Sequence, residues 1–241
     1  MISVCMLVNK ENLSLILDQL YDVMPCEWEL VIGDCSNGKR EKELKLIADE
    51  YIKISPKQSF KMGIPFCHNL VSSVANSYKI IYLDADEIPV WINPDIENLL
   101  EKEFWLISER HDFVEEEDII KIAKTTFEEM RESCKTTGAK PSIQPRIYNS
   151  RYVQFTGIIH SWFEHPTENN PKHLGAILLH NVTERNKKRS VDAARFDDLV
   201  HEQYARQNMN PKLAVNSTVL SWGKKWDHEY KDWKEWYNKY C

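Results

Sequence analysis

The stretch Lys79-Ile80-Ile81-Tyr82-Leu83-Asp84-Ala85-Asp86-Glu87-Ile88-Pro89 constrains this chain more than any other. Ile80 to Leu83 is a short apolar run, of the kind a strand covered on both faces shows. It runs into three carboxylates within four residues, and Pro89 predicts that pairing stops there, because proline has no N–H to give a ladder. Acids at the carboxyl end of a buried strand sit where open α/β sheets bind their ligands. Asp84 and Asp86 are separated by one residue, so an extended segment points both the same way. Two hard oxygen donors at that spacing suit a divalent cation, which in turn suits a diphosphate. An Asp-x-Asp standing alone is more often an acidic, solvated turn, so its surroundings decide the reading.

Those surroundings alternate strand and helix. Ile2 to Val8 predicts a first strand, Leu13 to Val23 a helix with one apolar face, and Trp28 to Gly33 a second strand. Arg40 to Tyr51 predicts a helix, Tyr51 to Ile54 a third strand, and Gly63 to Ser77 the helix that leads into the central strand. Such alternation implies a mostly parallel, doubly wound sheet. Past Pro89 the pattern loosens: a short helix over Ile96 to Leu100, a strand over Phe104 to Ser108 and a charged helix over Glu115 to Cys134. Ile143 to Tyr148 and Tyr152 to Phe155 read as an antiparallel pair about Asn149-Ser150-Arg151, and Ala176 to Leu179 as a last strand. The fold class is therefore α/β, with a small antiparallel section. Residues 1–189 form the body, and residues 190–241 a helical extension.

The net charge of −6 argues against a general nucleic-acid coat, though not against a local basic pocket. The six cysteines show no Cys-x-x-Cys, and a free thiol beside a strand packs as a small hydrophobe, so a reducing cytosol is the simpler inference. Met1 to Val8 lacks a basic start and is too short for a signal peptide, and no run reaches membrane length. A cytoplasmic protein, peripheral at most to a membrane, is expected. The last twenty residues hold four of the eight tryptophans: Trp222, Trp226, Trp233 and Trp236. On one helix they share a face, which predicts docking on the body or on a second copy in a homo-oligomer rather than adsorption to lipid.

In chain order, several motifs resemble the family 2 type of glycosyltransferase with the Rossmann-like GT-A fold, over roughly residues 2–190. Asp34-Cys35-Ser36 is similar to the family's acidic turn that contacts the nucleotide base. Lys61 to Asn69 is similar to its Gly-then-Asn helix start, with His68 where the family usually has Arg. Asp84-Ala85-Asp86-Glu87 matches its metal-binding motif. Gln144-Pro145-Arg146-Ile147-Tyr148-Asn149 followed by Ile158-Ile159-His160 resembles the subgroup of lipopolysaccharide core-type sugar transferases, with Ser161 where that subgroup has Glu.

The resemblance implies a metal-dependent, inverting transfer of a sugar from a nucleoside-diphosphate donor, a UDP-sugar first, to a hydroxyl of a carbohydrate or other acceptor. Asp86 would be the main ligand of Mn²⁺ or Mg²⁺, with Asp84 acting through water or holding the ribose. His180 would complete the metal shell, since imidazole is an acceptable ligand for Mn²⁺. Asp34 and Asn69 would bind the donor. Arg185 and Arg189, within a basic run, would close over the diphosphate. His160 and Trp162 would meet the acceptor. Glu164 is the first candidate for the base and Asp112 the second.

Each residue also has a plainer role: His180 a hydrogen-bonded histidine, His160 a turn cap, Trp162 core, Asp34 a turn aspartate, the basic run a solvated loop, and Glu164 or Asp112 surface ion-pair partners. Two further readings compete with the enzyme. One moves the sugar onto a modified nucleic-acid base, and the other binds a nucleotide-sugar without turnover. A nucleotidyltransferase would need a glycine-rich loop after the first strand, and Asn9-Lys10-Glu11-Asn12 is not one.

Overall fold

The computed structural model describes residues 1–55, 64–113, 141–156, 162–164 and 171–181, together with Glu117, Lys121, Ile122, Thr125, Glu129 and Glu132. The expected helix over 115–134 lies largely outside this set, and the extension over 190–241 wholly so.

Strand β1 (Ile2–Val8) is followed by α1 (Ser14–Val23), β2 (Trp28–Asp34), α2 (Glu41–Ile47), β3 (Glu50–Lys53), α3 (Ile64–Ser73) and β4 (Lys79–Asp84). Then come β5 (Glu87–Ile92), α4 (Ile96–Lys102), β6 (Trp105–Phe113), β7 (Ser142–Asn149), β8 (Gln154–Thr156), β9 (Trp162–Glu164) and β10 (Leu174–Asn181). The main sheet runs β3-β2-β1-β4-β7-β6-β10-β5, and β8 pairs with β9 in a separate ribbon. Pairing is parallel from β3 to β4 and between β6 and β10, and antiparallel where β7 and β5 join. This is the α/β architecture expected from the sequence. No helix among the described residues is long and apolar enough to cross a membrane, and Cys5, Cys26, Cys35 and Cys67 are free thiols.

Alternation along the strands divides the core. Val4, Met6, Leu30, Ile32, Ile81 and Leu83 face one layer with Ile16 and Leu20 of α1. Cys5, Val31, Ile80 and Tyr82 face the other, with Cys67 and Val71 of α3 and Phe155 of β8. Helix α3 approaches so closely that a Cβ at Gly33 would lie 2.5 Å from Val71 Cγ2 and 2.9 Å from Ile54 Cδ1. After β2 the chain turns through Asn37 (φ 58°) and Gly38 (φ 79°), the left-handed conformation that suits these two residue types.

Two expectations are corrected. Pro89 does not end pairing, because β5 runs through it. It sits at the sheet's edge beside a bulge, where Val90 is the extra residue between the pairs Ile177–Trp91 and Leu178–Pro89. Edge and bulge are the places where a strand tolerates a missing N–H. Nor do β7 and β8 form a hairpin: β7 inserts between β4 and β6, and β8 pairs with β9. Tyr152 and Val153 both donate backbone N–H to the Asn149 carbonyl, so the chain leaves the sheet in a tight turn. The Asn69 side chain then takes hold of β8 through the Phe155 backbone.

Only Ala85 and Asp86 separate β4 from β5, although three strands lie between them in the sheet. A flat sheet would put them about 19 Å apart, while three chain steps reach at most about 11 Å. The sheet must therefore curl until its far edge meets the end of β4, and that curl builds the site.

Candidate functional site

The curl gathers charged side chains at the edge where β4, β6 and β10 end and β5 begins. Asp84 closes β4, and the next two residues form a turn rather than extended chain, so the expected parallel alignment of Asp84 with Asp86 is lost. Arg146 claims Asp84 instead. Its guanidinium bonds the Asp84 carboxylate and forks onto Glu87, with Nε to Oε2 at 2.8 Å and a terminal nitrogen to Oε1 at 2.7 Å. Asp84 also donates its backbone N–H to Glu87 Oε2 at 3.1 Å. Arg146 is aimed by a bulge: Pro145 and Arg146 together oppose the single Ile107 of β6.

Burial alone would push the Asp84 carboxyl up, but Arg146 together with the His68, Arg110 and His180 charges outweighs it and holds Asp84 below the usual carboxylate range. Burial alone would lower Arg146, but the Asp84 and Glu87 carboxylates beside it prevail and raise it. Glu87 is completely buried.

The second half of the site is set by strand register. His180 on β10 lies opposite Asp112 of β6 and Glu87 of β5. Residues directly opposite in a ladder share a face. His180 Nδ1 is 2.8 Å from Asp112 Oδ1. A carboxylate only accepts, so Nδ1 carries the proton. His180 Nε2 points the other way, 3.7 Å from Asp86 Oδ1. The hydrogen bond to His180 comes first among the causes that hold Asp112 below its ordinary value, ahead of the opposing effect of burial.

Arg110, two residues before Asp112, stands 3.5 Å from Glu87 Oε1 and 3.6 Å from Asp112 Oδ1. Its Nε is buried without a hydrogen-bond partner among the described residues. Arg110 and Arg146 are the members to which the sequence reading gave no role, and Glu87 was read only as part of the acidic motif. Both arginines lie inside strands, and their partners lie on distant strands.

Asp84, Asp86, Glu87 and Asp112 exceed the two guanidiniums by two charges, so the edge favours a cation. Among the described residues no group of three or more His, Cys, Asp or Glu side chains is arranged to hold a metal ion. A pair fits nonetheless. Two metal–ligand bonds of about 2.1 Å span at most about 4.2 Å, and Asp86 Oδ1 and His180 Nε2 are 3.7 Å apart. Mg²⁺-type sites commonly take one or two protein donors and complete their shell with phosphate and water.

The remaining candidates fall elsewhere. Asp34 is buried, with Oδ1 accepting from the Ser36 N–H at 2.7 Å and Oδ2 from the Tyr51 hydroxyl at 2.7 Å. Burial opposes its ionisation, but those bonds prevail and lower its pKa. Its carboxylate thus shapes the turn after β2. Asn69 is spent on Phe155, as described. Trp162 and Glu164 lie on β9, where their backbones pair with Thr156 and Gln154. His160, Arg185 and Arg189 lie outside the described residues.

No protein-family model and no curated protein matches the chain. Solved structures of S. aureus TarS align with part of it. TarS 1–349 does so at 13% identity and TM-score 0.33, over 48% of this chain and 36% of that one. Its complex with UDP-GlcNAc aligns at 12% identity and TM-score 0.33, over 48% and 35%. A likeness this distant and partial assigns no activity to this chain.

Proposed function

We propose that the chain is a metal-dependent glycosyltransferase that moves a sugar from a nucleoside-diphosphate donor to an acceptor hydroxyl with inversion. The observation that carries this reading is the meeting of Asp86 and His180 at the carboxyl edge of the sheet, amid an excess of acids. Asp86 and His180 would hold Mn²⁺ or Mg²⁺, which offsets the negative charge developing on a departing diphosphate. Asp84, neutralised by Arg146, serves to fix the turn that presents Asp86. Arg110 adds positive charge at this edge, which would attract a phosphate oxygen. Glu164 on β9 takes the proton of the attacking hydroxyl; Asp112 is occupied with His180 and is the weaker choice for that task. The donor is a UDP-sugar and the acceptor a carbohydrate hydroxyl.

The test is donor hydrolysis and transfer with a panel of UDP-sugars and Mn²⁺. Activity in the wild type, lost in Asp86→Ala with an unchanged melting point, is the expected result. Turnover that survives Asp86→Ala overturns the metal reading. A melting shift with nucleotide but no sugar released turns the enzyme into a binder.

A further inference from the structure

We propose that Asp112 is a positioning residue: it locks the His180 ring so that Nε2 faces Asp86 across a gap that a divalent cation bridges. The inference rests on the metal-assisted reading above and deepens it. Asp112 and His180 are register partners on adjacent parallel strands, so their backbones fix the distance between the side chains. The 2.8 Å contact places the Nδ1 proton on the Asp112 side, which leaves the Nε2 lone pair for the Asp86 side. Nε2 and Oδ1 at 3.7 Å are too far apart for a hydrogen bond and suitably spaced for one shared cation. Metal-bound histidines characteristically give their other ring N–H to a carboxylate or carbonyl, which sets the ring's orientation and raises its basicity. Arg110, 3.6 Å from Asp112, restrains that carboxylate in turn. Asp112 does not itself touch the cation or the reacting atoms.

The experiment is a Mn²⁺ titration of the full chain, read by the spin-resonance signal of free Mn²⁺ without nucleotide, at low salt and at about 0.5 M NaCl. Asp112→Asn is expected to weaken Mn²⁺ binding about 10- to 100-fold at both salt concentrations. Asp112→Glu should recover most of the loss. The melting point without metal should stay close to wild type, because Asp112 is half exposed. Wild-type affinity in Asp112→Asn, alongside lost binding in Asp86→Ala, overturns the positioning role and leaves the metal site standing. A deficit that disappears at high salt also overturns it, since a remote charge alone would then explain the effect. If the wild-type chain binds no Mn²⁺, both this inference and the metal reading fail.

Discussion

At the scale of single residues, Arg146 has the clearest energetic role. It is 7% exposed and faces Asp84 and the fully buried Glu87. Removing one partner of such a cluster strands the other charges in a poor solvent, at a cost of about 3–5 kcal/mol. Arg146→Met should therefore lower unfolding stability by that amount in urea. Replacing Arg146 and Glu87 together by Met and Gln should cost less than Arg146→Met alone, because the buried acid is removed with its counter-charge. Equal or greater loss in the double variant would mean that Arg146 acts by packing rather than by charge. The acids of this cluster could be read from the sequence, since they follow an apolar run at a strand end. Their partner could not: Arg146 is 59 residues from Glu87. Its place depends on β7 sliding between β4 and β6, which no local pattern encodes.

At the scale of elements, β1, β2 and β4 were legible because they are covered on both faces and read as apolar runs. β5 was not, because it carries a proline. The three-residue β8 was legible as a strand but not in its partner. The adjacency of Ile143–Tyr148 and Tyr152–Phe155 suggested a hairpin, but the turn at Asn149 sends β8 toward α3 instead. Close packing of that helix gives a second measurable consequence. A methyl at Gly33 would meet Val71, Leu7 and Ile54 side chains, with the closest contact at 2.5 Å. Gly33→Ala should destabilise the fold by about 1–3 kcal/mol through overpacking. Adding Val71→Ala should return part of that loss in urea unfolding, since it removes the nearest obstacle. If Val71→Ala simply adds its own cost, α3 moves as a body and the site edge shifts with it.

At the scale of the whole molecule, the helix–sheet packing makes stability depend on pH through His68. Its ring is 3% exposed, lies 3.9 Å from the Tyr82 ring and 4.7 Å from Phe155, and is fixed in the layer that joins α3, β4 and β8. Burial pushes its pKa down to about 3, against the pull of Asp84 and with the help of Arg146. In the unfolded chain the ring regains its ordinary value of about 6.5. Between those two values the unfolded state binds the proton and the folded state does not, so each step down in pH favours unfolding. Stability should be flat above about pH 7, fall by several kcal/mol between pH 6.5 and pH 3, and gain no further slope from this group below that. Asp34 and Asp84, both held below their ordinary values, lose stability in the same direction but only below about pH 4, where unfolded carboxylates begin to protonate. The two windows separate the causes. His68→Phe keeps a ring against Tyr82 and should abolish the slope from pH 6.5 to 4.5 while leaving the carboxylate slope below it. Urea midpoints of both proteins across this range would decide the matter, and an unchanged slope from pH 6.5 to 4.5 in His68→Phe would mean that His68 is not its source.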